Sequence, residues 1–523
     1  MTITGEAIID GVQERGAGGS FQAWNPTARE HLEPNFHMVT PEQIDRACAL
    51  AGAAFDTFRA TSDEQRAQFL DTVAEQILAI GDELIERAMA ETGLPRVRLE
   101  GERGRTVGQL RLFATLLREG SWQDARLDTP LPERAPPRPD LRMRLIGVGP
   151  VAVFAASNFP LAFSVAGGDT ASAFAAGCPV VLKAHSGHPG TSELVGRAVS
   201  KAVAECGLPA GVFALLTGTG NGIGQRLVAH PAIQAVGFTG SRSGGTALMA
   251  VAAARKQPIP VYAEMSSINP VFILPQALAA RGDEIGKGFA ASLTMGVGQF
   301  CTNPGLVLAI DGPGLDTFVK AAREALASSQ HAVMLNQNIA DSYRKGVDAL
   351  AGNEAVTTLA CLDHQEGKGG AAFFRTSADE FLKRHELHEE VFGPASVLVV
   401  CRDADQVREV AEALEGQLTA TLQVDAGDIE AARKLLPTLE RRVGRILANG
   451  YPTGVEVSTA MVHGGPFPST ADGRSTSVGT GAISRFLRPV CYQNLPFELL
   501  PEALRDGNPL GIWRRRDGAL TKE

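Results

Sequence analysis

Residues 148–195 read VGPVAVFAASNFPLAFSVAGGDTASAFAAGCPVVLKAHSGHPGTSELV, with two apolar β-type runs (Val148 to Ala155, Pro179 to Leu182) on either side of an Ala/Gly-rich helical stretch. Short continuous apolar runs joined through a helix suit parallel strands buried on both faces. The rhythm continues with VFALLTG (212–218), the helical NGIGQRLVAH (221–230), the strand AVGFTG (235–240) and a helix beginning at SRSGGTALMAVAAAR (241–255). Such alternation predicts a doubly wound α/β sheet. Beyond VYAEMSSINPVFIL (261–274) it resumes through PGLVLAI, a helix over 314–328, HAVML, FGPASVLVVC, helices over 403–437 and GRILANG, predicting a second open sheet of the same class.

Upstream, residues 40–117 carry apolar residues at three- and four-residue steps and read as successive helices. A Pro- and Arg-rich stretch, LDTPLPERAPPRPDLRMRLIG (127–147), reads as a linker ending in a strand, and FLRPVCYQNLP (486–496) as a second strand. At roughly 150 residues per domain, 523 residues make about three structural units. No apolar run approaches the about 20 residues of a membrane helix, and the N-terminal stretch lacks the basic and apolar regions of a secretory signal, so a cytoplasmic protein is expected. A net charge of -9 leaves no basic field for nucleic acid, which favours small-molecule partners. Seven cysteines without a CxxC pair indicate neither a metal site nor a disulfide framework.

Several short segments carry candidate chemistry. In GQFCTNPG (298–305), Cys301 lies among Gly and Pro in what reads as an irregular loop, a setting for a nucleophilic thiolate, although a lone cysteine is more often inert packing. Glu264 follows an apolar strand in AEMSSINP (263–270), where burial would raise its pKa and suit it to general-base work; the alternative is a cap or ion pair. Asn158 in SNFP (157–160) has an amide suited to an oxyanion, or simply to a turn. Lys183 ends the strand VVLK, while FTGSRSGG (238–245) offers helix N-terminal amides and the Ser241 hydroxyl to a pyrophosphate. Each signal is weak alone.

In sequence, SNFP, VLKAHS, FTGS, the Glu264 segment, GQFCTNPG and EEVFGP (389–394) resemble the aldehyde dehydrogenase superfamily over nearly the whole chain. The resemblance implies two open-sheet domains and a small bridging β element: nucleotide binding by 1–130 and 150–264, catalysis by 265–470, and oligomerisation by 131–149 and 480–500. It implies Cys301 as nucleophile, Glu264 as base for deacylation, and Asn158 with the Cys301 amide as oxyanion hole. Lys183 and Ser186 would meet the adenosine ribose, Gly240 and Ser241 the pyrophosphate, and Glu390 and Phe392 the nicotinamide ribose. No metal is implied. A departure is Ser266–Ser267, where the family commonly has two glycines.

NAD-preferring members usually carry a glutamate three residues after the lysine; Ser186 there removes a clash with a 2'-phosphate, so NADP is expected, with NAD also admitted. Arg242 and His185 are candidates to meet that phosphate. The tail HGGPFP (463–468), RSTSVGT (474–480) and RFLRPVCYQN (485–494) resembles the bacterial branch containing 2,5-dioxopentanoate dehydrogenases, and a broad-specificity or fatty-aldehyde enzyme is the alternative. Phe159 and Phe163 would line the substrate entrance. Related succinate-semialdehyde enzymes place an arginine eight residues after the asparagine, where this chain has Ala166, leaving Arg474 or Arg111 to hold a substrate carboxylate. A cofactor-free thiol hydrolase would leave the nucleotide motifs without purpose, and a non-catalytic binding protein would predict loss of Cys301 or Glu264. The strands near 140–148 and 486–492 imply a homodimer or homotetramer.

Overall fold

The computed structural model describes residues 2–523 and contains two seven-stranded sheets. The first runs Val261–Glu264, Ala235–Thr239, Val151–Phe154, Val180–Lys183, Phe213–Leu216, Ala7–Ile9, Val12–Glu14, with the first five strands parallel and an antiparallel hairpin at the far edge. Val151, Val153, Val180 and Leu182 enter one apolar core, while Ala152, Phe154 and Val181 enter another on the opposite face. That two-residue alternation explains why the strands read as continuous apolar runs. From Val151–Phe154 the chain winds outward to one side and then returns to build the other, so a crevice opens at the carboxyl ends of this strand and Ala235–Thr239.

The second sheet is ordered Thr357–Cys361, Ala372–Ser377, Ala395–Cys401, Leu306–Ile310, Val271–Ile273, Gln417–Gln423, Val443–Ala448, and only its first strand is antiparallel. One expectation is corrected here. Residues 403–437 are not all helical, because Gln417–Gln423 is a strand between the helices Ala404–Ala413 and Ile429–Arg442. Its Gln and Thr residues are buried rather than solvated: Gln417 Oε1 accepts from the Ile268 N–H, and Thr419 Oγ1 donates to Asn269 Oδ1.

The helices Pro41–Arg59, Asp63–Ile80, Asp82–Thr92 and Arg96–Glu119 account for the expected helical region. Capping boxes at Thr40/Gln43 and Ser62/Gln65 start the first two, each cap worth about 1 kcal/mol. A third sheet pairs Leu487–Gln493 antiparallel with Leu141–Gly147 and continues through Arg126–Asp128, Arg514–Arg516 and Ala519–Thr521, strands outside the segments expected from sequence. Leu487–Gln493 forms its largely exposed outer edge. Among the described residues, no helix is long and apolar enough to cross a membrane.

Candidate active site

Four candidate residues gather where the parallel strands of the first sheet end. Lys183 and Glu264 are the last residues of their strands, Asn158 follows Val151–Phe154, and Ser241 caps the helix Arg242–Ala253 after Ala235–Thr239. Cys301 comes to the same place from the other sheet, in the turn between Met295–Gly298 and Leu306–Ile310. The Asn269 amide fixes that turn by donating to Cys301 O and Asn303 O, both at 2.9 Å. Gly298, at φ 63°, lets the turn pass close to the 389–394 loop; a Cβ there would lie 2.3 Å from Gly393 C.

The half-buried Cys301 Sγ lies 3.4 Å from His463 Nε2, and that nitrogen is 2.8 Å from Glu264 Oε1. Ser477 Oγ donates to Glu264 Oε2 at 2.9 Å. Burial works to raise the Glu264 carboxyl, but the His463 ring and hydrogen bonds from His463, Ser477 and Cys301 outweigh it and hold the group below the ordinary glutamate range. The raised pKa expected for Glu264 is therefore corrected: it is an anion fastened inside a network. Burial and the Glu264 charge push the Cys301 thiol well up, with Arg105 opposing. The expected partial thiolate near neutral pH gives way to a protonated thiol with proton acceptors beside it.

Asn158 is buried, and its Nδ2 donates to Gln299 O at 3.1 Å, leaving a second N–H on the same nitrogen. The Cys301 N–H has no partner among the described residues. These two donors suit an oxyanion. Phe159 and Phe163 pack edge-on at 5.3 Å, Phe159 reaches Phe300 at 5.7 Å, and Phe163 lies 6.2 Å from the His463 ring. An aromatic wall thus adjoins the thiol.

Burial lowers the Lys183 ammonium to about 8, and no carboxylate pairs with it among the described residues. Ser186 is half-buried. The Gly240 N–H is not open to a pyrophosphate, since it donates to Glu264 O at 3.0 Å, and a Cβ on Gly240 would meet the Phe238 ring at 2.7 Å. Ser241 Oγ accepts from Gly244 N, while the N–H groups of Arg242 and Ser243 have no protein acceptor among the described residues. Burial raises Glu390 to about 7, against hydrogen bonds from Ser266 and the Ser267 N–H; it shares a recess with Phe392 and Phe300. Ser266 thus serves Glu390, whereas Ser267 Oγ is tied 2.9 Å from Gln417 Oε1.

Other candidates fall away. The Arg474 side chain is 91% exposed and paired with Asp472, so it is not brought to the site. Arg111 lines a cleft but is exposed. Arg242 is bound to Glu415, while burial, with His188 and Lys183, holds His185 well below the ordinary imidazole range.

Residues 13–487 match the model of the aldehyde dehydrogenase family. The chain belongs to that family. It is 59% identical over 522 residues to alpha-ketoglutaric semialdehyde dehydrogenase 2 of Azospirillum brasilense and 50% identical over 522 residues to alpha-ketoglutaric semialdehyde dehydrogenase of Acinetobacter baylyi, covering 99% of each chain in both pairs. Among solved structures, a betaine aldehyde dehydrogenase mutant from Staphylococcus aureus superposes with a TM-score of 0.80 at 19% identity, covering 95% of this chain and 98% of that one. A mutant of aldehyde dehydrogenase C from Pseudomonas syringae, complexed with NAD+ and octanal, gives 0.77 at 22% identity, covering 93% and 96%.

For this aldehyde dehydrogenase, sequence reasoning missed His463, Ser477 and Asn269. HGGPFP resembles a branch of the family, and its histidine touches the thiol. The signal was a His between an apolar run and two glycines. What brings it in is backbone pairing, with Met265 N donating to Ser469 O and Ala471 N to Ala263 O, both at 2.8 Å.

Proposed function

We propose that the protein oxidises 2,5-dioxopentanoate to 2-oxoglutarate, using NADP and accepting NAD, with Cys301 as nucleophile. The observation that carries the chemistry is the contact of Cys301 Sγ with His463 Nε2, itself bonded to Glu264. The names of the two full-length relatives support the substrate.

The chain's part in the reaction follows from its geometry. The Cys301 proton passes to the His463–Glu264 pair, and the sulfur attacks the aldehyde carbon to give a thiohemiacetal. Asn158 Nδ2 and the Cys301 N–H hold the oxygen as charge develops on it. A nicotinamide dinucleotide, when held there, would supply the hydride acceptor for oxidation of this adduct to the Cys301 thioester. Once the pair has released the thiol proton to solvent, water attacks the thioester, its proton going to the emptied pair while the sulfur leaves as a thiolate.

The residues present fit such a cofactor. Lys183 is an unpaired cation at the crevice, Ser241 with the Arg242 and Ser243 amides forms an anion-ready helix terminus, and Glu390 can accept from a ribose hydroxyl. Ser186 places no carboxylate where a 2'-phosphate would lie. The exposed edge strand Leu487–Gln493 supports assembly into a homodimer or homotetramer, and a thiol-dependent enzyme suits the reducing cytoplasm.

Purified protein should reduce NADP with 2,5-dioxopentanoate, and Cys301→Ala should abolish turnover while nucleotide binding survives. Turnover in that variant sinks the mechanism; equal kcat/KM for decanal and the oxo acid sinks the substrate.

A further inference from the structure

The helix Arg96–Glu119 turns two arginines toward the aromatic wall beside the nucleophile, and they are used differently. Arg98 is a brace: its Nη2 donates to Asn158 O at 2.6 Å, and its guanidinium lies 4.5 Å from the Phe300 centroid and 5.1 Å from that of Phe159. Arg105 stands 5.7 Å from the Phe159 centroid and 5.1 Å from that of Phe163. Its Nε and Nη2 are buried without a hydrogen-bond partner among the described residues.

The helix carboxylate that acts on Arg105 through its charge, Glu102, makes no hydrogen bond to it among the described residues, and its Oε2 is itself buried without a partner. Glu102 Oε1 accepts from the N–H groups of Leu161 and Ala162, at 2.8 and 3.0 Å. Stacking on phenyl faces attracts a guanidinium through its flat side but leaves its in-plane N–H groups unsatisfied. A buried N–H without an acceptor is costly, so such an edge favours a ligand that supplies one. Nε and Nη2 share one edge of the guanidinium, the edge that fits a carboxylate through two parallel hydrogen bonds. Arg105 also lines an open cleft of about 520 Å³ with Gly108, Leu112, Val455 and Val457. Glu456 sits in the same cleft but is exposed and accepts from the Val457 N–H.

We infer that Arg105 binds the carboxylate of an ω-oxo acid substrate through Nε and Nη2, and so selects acids over uncharged aldehydes of the same length. The inference rests on the substrate reading proposed above. In 2,5-dioxopentanoate four carbon–carbon bonds separate the carboxylate from the aldehyde carbon, a short chain matched to a cation bounded by the same phenyl rings that flank the nucleophile. Arg111, exposed and in solvent, has no such unmet demand.

The test compares kcat/KM of the full-length enzyme for 2,5-dioxopentanoate and for pentanal. Arg105→Gln should lose about 100-fold on the acid and far less on pentanal, whose smaller loss reports the Arg105 charge acting on the Cys301 thiol, with Arg105→Lys recovering part of the loss on the acid through KM. Loss of equal size on both substrates, or acid preference kept in Arg105→Gln, overturns the assignment of Arg105. A wild-type enzyme with no preference for the acid overturns the substrate reading itself, and the inference with it. Thermal melts verify folding; if Arg105→Gln does not fold, Arg105→Lys decides, since its loss must still be confined to the acid.

Discussion

His463 Nε2 lies 2.8 Å from Glu264 Oε1, joining residues 199 positions apart into one proton-sharing pair. Because the same nitrogen faces Cys301 Sγ, the proposed mechanism uses the pair twice, for the leaving thiol proton and then for the proton of the attacking water. His463→Ala should lower kcat about 100-fold, the lower end of what a positioned acid–base group contributes, with nucleotide affinity unchanged. Steady-state kinetics beside nucleotide titration decide it, and unchanged kcat would remove His463 from the reaction.

The thiol itself gives a pH prediction with a definite sign. Burial and the Glu264 charge raise Cys301, so alkylation by iodoacetamide in the absence of substrate should keep climbing above pH 9, the ordinary thiol value. Glu264→Gln removes a negative charge that opposes thiolate formation, and its profile should shift to lower pH. A shift upward contradicts the account.

Glu390, raised to about 7 mainly by burial, should make nucleotide binding pH-sensitive near neutrality. Above that value the carboxylate can accept from a ribose hydroxyl through either oxygen; below it one oxygen is protonated. Affinity should therefore fall between pH 8 and pH 6. Glu390→Gln should flatten the curve, measured by fluorescence titration.

At Ser186, glutamate should discriminate against NADP by placing a carboxylate beside its 2'-phosphate. We expect kcat/KM for NADP to drop by about tenfold or more in Ser186→Glu while that for NAD holds or rises. Loss on both nucleotides to the same degree refutes the assignment of Ser186.

Much of this was legible in the chain. Lys183 and Glu264 end apolar strands and Ser241 opens a helix, so local pattern alone put them at one edge of a sheet. His463 and Arg105 were opaque for a different reason. One lies in a Gly-rich loop and the other on an ordinary amphipathic helix, and only tertiary closure turns either toward the sulfur. The strand Gln417–Gln423 escaped notice because its polar residues find buried partners on other segments, which periodicity cannot reveal. Arg474 misled by the opposite route: it neighbours site loops in sequence but its side chain turns outward to solvent and Asp472.

Asn269 lies in the crossover between the last strand of the first sheet and Val271–Ile273 of the second, and its amide grips the backbone at Cys301 and two residues beyond it. The sulfur is thus registered to the joint between the sheets. On gradual warming, slackening at that joint would disable the enzyme while both sheets remain folded, so inactivation should precede the loss of far-ultraviolet circular dichroism.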